Sequence, residues 1–535
     1  MRPFGAAAAL FFALSVLPAV HPSPQERLEE FLGRNGISWE EGLLFAGDGD
    51  FAPEFSGDGP GVNEESVLVI FDKKSGEDGI PEDDIVPEPC AVLALPLGDE
   101  AREDAFDRRC VLNLIERLSG TALPAKVMVA FLGERDLRFL QSGGKGTGGE
   151  GAAVPDLLPY FSYPELAVLW FLDMKETPAD LLVSHGSAGK IAPLHVVKNI
   201  TTLCKSLGIP LIFANPFNEL FLSGLAGGPA ALAPLLGQDM GGILITGTDR
   251  QIPRHFYGTE INAERMTELL FLFASSPPAP VPSLRDWTIA SGAVCDYHYR
   301  IVSLSGATFY LSERVLMLLF FLTGAACFVS PRLFFRLRGD PPFPPRTFFR
   351  HFWIIVVPGI ILALSLGISG RITPFAGTLI PAHPFVSGYL LPCLRPVLGI
   401  GFFILLSLPL RGHRIPRKAD FYGAGALFFA AFNIFAAAFV NIVLVPVLAE
   451  ALIILFLGAC FKKPAAVFIC AFLAPLHGIF ILTFALLSGD GPGPLLLSTG
   501  TADTVRMSLA LLPFILMYLR GVFVLKEKTA EPKTR

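Results

Sequence analysis

Residues 127–138 read Val-Met-Val-Ala-Phe-Leu-Gly-Glu-Arg-Asp-Leu-Arg, and this stretch decides the fold class. Its apolar run, which includes the β-branched Val127 and Val129, stops at Gly133 and is followed at once by the carboxylate of Glu134. An apolar run of this length that ends at a turn residue is typical of a strand buried on both faces of a parallel sheet. We therefore predict a buried strand that presents Glu134 at its carboxyl end.

Further strands and helices alternate before and after this segment. The predicted strands cover residues 67–71, 91–97, 166–172, 181–184 and 243–246, and the predicted helices cover residues 25–35, 104–118, 193–207 and 262–274. Strands that alternate with helices predict an α/β domain with a mostly parallel sheet covered by helices on both faces.

The composition of the chain indicates two halves of different character. Hydrophobic residues make up 52% and charged residues 17% of the 535 residues, and the mean hydropathy is +0.54. Up to Leu311 there are 22 Lys and Arg against 40 Asp and Glu, whereas the remainder has 20 against 8. An acidic first half lacks the basic patches that phosphate backbones require, so we predict no nucleic-acid partner.

The second half consists of long apolar blocks, each of roughly 20 residues, the length that spans a bilayer. They cover residues 315–335, 352–368, 385–410, 421–440, 442–461, 465–487 and 505–525. Lys and Arg cluster at every second boundary between the blocks. By the positive-inside rule, this predicts an all-α bundle of seven transmembrane helices, an extracytoplasmic α/β domain and a cytoplasmic C-terminus. The predicted location is the bacterial inner membrane rather than the endoplasmic reticulum, with the lipid bilayer as a partner.

The same patterns predict the domain boundaries. Residues 1–22 are a signal peptide or an N-terminal anchor, two alternatives that the sequence leaves open. The α/β domain covers residues 23–283 and a juxtamembrane segment covers 284–314, where alternation over 300–311 predicts a hairpin. The membrane domain covers residues 315–525 and the cytoplasmic tail 526–535.

A buried strand followed by Gly-Glu resembles the core of the co-catalytic zinc aminopeptidases, metallopeptidase family 28. In that family the strand ends in Gly-Glu-Glu, where the first Glu is the general base and the second binds zinc. The resemblance implies that Glu134 is a vestigial general base and that Arg135 replaces a zinc ligand. A guanidinium has no lone pair to donate to a metal ion, so Arg135 is instead predicted to bind a carboxylate or phosphate.

Three other segments resemble the metal ligands of this family. Asp173 ends a Phe-Leu-Asp-Met segment similar to the family's zinc-binding Asn-Leu-Asp-Met, and His255 lies in a segment similar to that of the last zinc-binding His. Asp104 lies one residue from the place of the bridging Asp. No His follows the strand over residues 91–97, where the family has His-x-Asp. The resemblance therefore implies a degenerate metal site of Asp173, His255 and Asp104, with zinc bound only if the domain is active.

Three functions follow from these observations. The favoured one is a non-catalytic membrane protein that binds a substrate or a peptide or protein partner at the old cleft, without a cofactor. Its architecture is similar to that of the attachment subunit of glycosylphosphatidylinositol transamidase, which holds substrate without hydrolysing it. The alternatives are an active membrane-anchored zinc aminopeptidase with a rearranged metal site and a transporter with an extracytoplasmic recruiting domain.

Ionisable residues inside the apolar blocks form a second group of candidates. Glu450 and His477 lie near the middle of two consecutive blocks, where such groups are costly and are by default functional. The other interpretation is a hydrogen bond between helices, as is also expected for Asn433 and Asn441. Arg395 and Arg520 are expected to extend along the helices to the membrane surface, as long basic side chains do. Residues 184–191 lack the first Gly and the Ser or Thr of a phosphate-binding loop, which excludes that motif.

Overall fold

The structure is a computed structural model. It describes residues 24–35, 37, 39–42, 66–71, 90–97, 104–121, 123, 125–133, 137, 167–187, 189–237, 240–248, 261–275, 297–304, 307–338, 349–379, 391–407, 419–487 and 500–530. The chain divides into two compact units. The first unit comprises Met1–Leu182, Asn199–Leu211 and Met240–Pro280, and the second comprises Val183–Lys198, Ile212–Asp239 and Val281–Arg535.

An eight-stranded sheet organises the α/β part of the chain. Its strands are β1 (Trp39–Gly42), β2 (Ser66–Phe71), β3 (Cys90–Pro96), β4 (Lys126–Leu132), β5 (Ala167–Asp173), β6 (Asp180–Ser184), β9 (Leu211–Phe213) and β10 (Gly241–Thr248). Their order is β1-β2-β4-β3-β5-β10-β6-β9. The central pairs β4–β3, β3–β5 and β5–β10 are parallel, and β1 and β2 run antiparallel at one edge. The prediction of a mostly parallel sheet is confirmed.

The apolar run of residues 127–132 forms the interior strand β4, in which every residue except Lys126 is buried. β3 on one side of it is buried along its whole length. Because both faces of these strands are covered, their residues form continuous apolar runs instead of alternating with polar ones.

The helices of the α/β part are α1 (Pro24–Arg34), α2 (Phe106–Ser119), α3 (Leu194–Leu207), α4 (Asn218–Leu222), α5 (Ala233–Gly237) and α6 (Ala263–Ser275). α2 and α6 pack against each other in the first unit. Trp170 of β5 is fully buried there, and its ring stacks on Phe273 of α6 with 3.9 Å between the ring centroids. This stack joins the central strand to the helical layer above it.

Two hairpins belong to the second unit. Gly186–Ser187 (β7) pairs with Lys190–Ile191 (β8), so the segment that was rejected as a phosphate-binding loop is a tight hairpin. Arg300–Leu304 (β11) pairs antiparallel with Ala307–Leu311 (β12), which confirms the hairpin predicted over residues 300–311.

From residue 313 onward, the elements that the structure describes are helices. The α-helices are α7 (Glu313–Arg338), α8 (Trp353–Leu379), α9 (Leu391–Ser407), α10 (Ala419–Val440), α11 (Val445–Cys460), α12 (Pro464–Leu473), α13 (Leu476–Leu487) and α14 (Thr501–Ala530). α14 packs against α8, α10 and α12. A buried apolar cluster that includes Ile355, Ala426, Leu455 and Leu516 holds this bundle together.

Five segments of the described residues are helical, long and apolar enough to cross a bilayer: Trp353–Ile372, Ala419–Phe439, Ile442–Cys460, Pro464–Ile481 and Thr501–Thr529. They support a membrane protein. The predicted number of seven spans is not confirmed, because the blocks at 315–335 and 385–410 correspond to α7 and α9, which are not among the five. The predicted block at 465–487 is interrupted between α12 and α13 at Ala474 and Pro475, where proline lacks the N–H that a continuous helix needs.

Candidate functional site

Three neighbouring parallel strands of the first unit end at one edge of the sheet. β4, β3 and β5 lie side by side, so the residues that follow them meet at this edge. α2 begins at the same edge, because the N–H groups of Phe106 and Asp107 donate to the carbonyls of Lys175 and Met174 at 3.0 and 3.1 Å. We call this the strand-end edge. It is where the sequence resemblance places the peptidase-like cleft.

Asp107 is a buried carboxylate at the strand-end edge, and both of its oxygens bind main-chain amides. Oδ1 accepts a hydrogen bond from Arg108 N and Oδ2 accepts one from Met174 N, each at 2.8 Å. Met174 directly follows Asp173, so Asp107 ties the start of α2 to the end of β5. The carboxylate satisfies amides that would otherwise be buried without a partner.

Arg108 brings a positive charge to the same edge. Its side chain is buried, and Nη1 donates to the carbonyl of Leu97, the residue after β3, at 3.2 Å. Leu97 lies where the family resemblance would require a zinc-binding His nearby. The buried Arg108 side chain therefore links the start of α2 to the residue that follows β3.

The structure places two of the predicted site residues of the first unit. Asp173 is the last residue of β5 and is half-buried, and Asp104 is exposed two residues before α2. Glu134, Arg135 and His255 lie outside the described residues. Among the residues that are described, no three His, Cys, Asp or Glu side chains come close enough to hold a metal ion.

The two candidates inside the apolar blocks are brought together in the second unit. His477 Nδ1 of α13 and Glu450 Oε2 of α11 form a hydrogen bond. Glu450 is the ninth residue of the span Ile442–Cys460, and His477 is the second residue of α13, immediately after the interruption at Pro475. The hydrogen bond between α11 and α13 agrees with the interpretation as a contact between helices. The pair also lies beside a broken helix, and membrane proteins commonly form binding sites at such breaks.

The Glu450–His477 pair lies in a groove of about 610 Å³ between α11, α12 and α13. Its other walls are apolar except for Thr483 and consist of Ile454, Leu473, Leu476, Ile479 and Phe480. The side chains of Glu450 and His477 are 48% and 32% exposed. Within the described part of the chain, this is an ionisable pair on the outer face of the helical bundle.

A buried carboxylate lies next to this region, on the short helix α4. Glu219 is only 1% exposed, and Arg300 Nη2 of β11 approaches its Oε1 to 3.3 Å. This is an ion-pair distance, yet neither carboxylate oxygen accepts a hydrogen bond from the residues that the structure describes. The side-chain amide of Asn441 donates to the Glu219 carbonyl at 3.4 Å. Burial raises the pKa of Glu219, and the nearby charges of Arg300 and His477 oppose that rise.

The raised pKa of Glu219 predicts that stability falls with rising pH. Below the ordinary value of 4.5 the carboxyl holds its proton in both the folded and the unfolded chain, and its contribution is fully present. Above 4.5 the unfolded chain loses that proton first, so the contribution is lost as the pH rises through the folded pKa. We expect Glu219→Gln to remove this dependence. The melting temperature of the variant minus that of the wild type should therefore increase from pH 4.5 to pH 8.

The measurement is thermal unfolding of the full-length protein in detergent across that pH range. Glu116→Gln, on the exposed face of α2, is the matched control and is expected to parallel the wild type. Parallel curves for Glu219→Gln and the wild type would contradict the prediction.

A second buried polar residue, His185, forms a hydrogen bond with α4. His185 is completely buried, and its Nε2 lies 2.6 Å from Asn218 Oδ1, while the Asn218 amide donates to the Tyr299 carbonyl at 2.8 Å. Burial lowers the pKa of His185 to about 4, against the opposing effect of the Asn218 hydrogen bond. His185 is therefore neutral at physiological pH and serves to fix α4, which carries Glu219.

Sequence reasoning missed Glu219, Asp107 and Arg108. Asp107 and Arg108 lie near the start of the helix predicted over residues 104–118, three and four residues after Asp104, and this position was the available signal. Glu219 gave no such signal, because α4 is five residues long and its partners Arg300 and Asn441 are distant in sequence.

Comparison with known proteins covers the helical part of the chain. Residues 352–535 match the model of the family TP_0564_2nd, described as a second domain. No curated protein matches the chain. All five candidate membrane spans, and with them Glu450 and His477, lie inside the matched region.

Proposed function

We propose that the chain is an integral membrane protein whose α/β domain lies outside the cytoplasm and binds a peptide or protein partner without hydrolysing it. The observation that carries the proposal is the buried guanidinium of Arg108 at the strand-end edge, bonded to the carbonyl that follows β3. A two-zinc centre polarises a peptide carbonyl with positive metal ions. A guanidinium held against the residue that follows β3 cannot coordinate a metal ion, which favours binding over hydrolysis.

The distribution of charge supports the same proposal. The first half is acidic and the loops between the apolar blocks are alternately basic and nearly free of Lys and Arg, which favours an outward-facing domain. Arg135 lies three residues after the end of β4 in the sequence, so the segment that follows this strand carries a guanidinium. A guanidinium binds the carboxylate of a peptide through charge-assisted hydrogen bonds.

Hydrolysis and metal content test the first part of the proposal. The full-length protein is purified in detergent, equilibrated with zinc and dialysed, and its metal content and its rate on leucyl-p-nitroanilide are measured. We expect no stoichiometric zinc pair and a rate equal to that of Glu134→Gln. About two zinc ions per chain, together with hydrolysis that Glu134→Gln abolishes, would establish the aminopeptidase instead.

Peptide cross-linking tests the second part. A library of short peptides with free termini and a photoreactive phenylalanine is irradiated with the full-length protein. We expect Arg135→Ala to lower saturable labelling by about tenfold, the usual loss for a hydrogen bond to a charged group. Arg138→Ala, with the same loss of charge three residues further on, is the control and is expected to label like the wild type. Equal labelling of both variants would reject Arg135 as a ligand, and no saturable labelling of the wild type would reject the binding function.

A further inference from the structure

The Glu450–His477 pair occupies an unusual place for ionisable groups. Side chains of this kind inside a membrane almost always face the bundle interior or a water-filled cavity, because exposure to hydrocarbon is costly. Here both side chains line a groove on the outer face of the bundle, and about half of Glu450 is exposed. A purely structural hydrogen bond between α11 and α13 would not require a groove. The exposure points to a ligand that completes the pair.

The pair has hydrogen-bonding capacity to spare. Glu450 Oε2 and His477 Nδ1 bind each other, and the described residues supply no further hydrogen-bond partner to either side chain. The remaining carboxylate oxygen accepts hydrogen bonds, and the remaining imidazole nitrogen donates or accepts one according to its tautomer. A hydroxyl group both donates and accepts, so a single hydroxyl matches what the pair leaves open.

The apolar walls of the groove disfavour a ligand with a charged headgroup. Ile454, Leu476 and Phe480 surround the pair with apolar side chains. Placing a phosphate among them would require desolvating a charge and bringing it against the carboxylate of Glu450. An uncharged hydroxyl avoids both costs. The volume of about 610 Å³ also lies within the range of roughly 300 to 1,000 Å³ that is usual for small-molecule sites.

We propose that this groove binds an uncharged lipid with a free hydroxyl, of the diacylglycerol class. The hydroxyl is held by Glu450 and His477, and the acyl chains lie along the apolar walls and enter from the bilayer. The site is independent of the strand-end edge, so it stands whether or not that edge binds a peptide.

Photolabelling in a bilayer tests the proposal. The full-length protein is reconstituted in phosphatidylcholine nanodiscs that contain a diacylglycerol with a photoreactive acyl chain, and the labelled residues are mapped by mass spectrometry. We expect saturable labelling of α11 and α13 that unlabelled diacylglycerol displaces and phosphatidic acid with the same chains does not. Glu450→Leu is expected to lower this labelling by about tenfold or more, as for other hydrogen bonds to a charged group.

Two tryptophan variants distinguish a loss of lipid binding from a loss of folding. Ile454→Trp fills the groove and is expected to lower labelling as Glu450→Leu does, whereas Ile469→Trp, at an exposed position of α12 outside the groove, is expected to label like the wild type. Labelling that is unchanged in both groove variants would overturn the proposal. So would equal displacement by phosphatidic acid, or cross-links between two copies of the chain through Ile454, which would identify the groove as an oligomer interface.

Discussion

Arg520→Ala is expected to destabilise the helical bundle by about 3–5 kcal/mol, the usual cost of removing one partner from a buried charged network. Arg520 of α14 is 0% exposed and donates to the carbonyls of Gly458, Ala459 and Phe461 at 3.4, 2.7 and 3.1 Å. It also pairs with Asp420 Oδ1 at 2.9 Å. One guanidinium therefore satisfies the last carbonyls of α11 and joins them to α10 and α14.

Alanine would leave the carbonyls of Gly458 and Ala459 buried without this donor, which is the larger part of the expected loss. Arg520→Lys keeps the charge but offers a single ammonium in place of a planar fork, so we expect an intermediate stability. The measurement is unfolding of the purified full-length chain by titration with sodium dodecyl sulfate, followed by circular dichroism.

Arg506→Ala provides the matched control on the same helix. Arg506 is largely exposed, and among the described residues its one ion-pair partner is Asp503, three residues away on the same helix, an arrangement that contributes little. We expect this variant to unfold with the wild type. Equal losses in Arg506→Ala and Arg520→Ala would show that the network around Arg520 does not hold the bundle together.

Arg520 also marks where sequence reasoning about the membrane half was wrong. Arg395 and Arg520 were expected to extend to the membrane surface, yet both are buried. Arg395 donates to Thr504 Oγ1, and Arg520 reaches carbonyls about 60 residues away. Apolar periodicity indicates where a helix runs but not which neighbour supplies a partner, so the sequence could not distinguish an internal arginine from one at the surface.

For Glu450 and His477 too, the sequence indicates the position of each residue but not its partner. Their positions near the middle of two consecutive blocks could be predicted, because block length alone gives approximate depth. Their hydrogen bond depends on the rotation of each helix and on the break at Pro475, which the sequence does not specify. The expected role of Asn433 between helices did emerge, since its amide donates to the Leu509 carbonyl of α14 at 2.8 Å.

In the α/β part, the long apolar strands were predicted closely and the short elements were missed. Residues 91–97 and 166–172 were predicted, and the strands are Cys90–Pro96 and Ala167–Asp173. Burial on both faces leaves an unbroken apolar run, and such a run is readable from sequence. β9 has three residues and α4 has five, which is too short for periodicity to appear. Glu219 lies on α4, so that site could not be predicted.

Trp170→Ala is expected to destabilise the first unit by about 3–5 kcal/mol, the usual cost of truncating a buried tryptophan. Trp170 lies at the centre of β5, between Leu93 of β3 and Ile243 of β10, and stacks on Phe273 of α6. Alanine would remove that stack and open a cavity beneath α6. Since β5 ends at Asp173, three residues further on, the loss would also loosen the strand-end edge.

Trp170→Phe separates the contribution of the aromatic ring from that of the indole N–H. The buried Nε1 has no hydrogen-bond partner among the described residues, so phenylalanine removes an unsatisfied donor while retaining a ring against Phe273. Replacing an unpaired buried donor by an apolar group recovers its desolvation cost, which offsets the smaller ring. We therefore expect Trp170→Phe to lie close to the wild type in thermal unfolding. A loss as large as that of Trp170→Ala would mean that Nε1 has a partner that stabilises the fold.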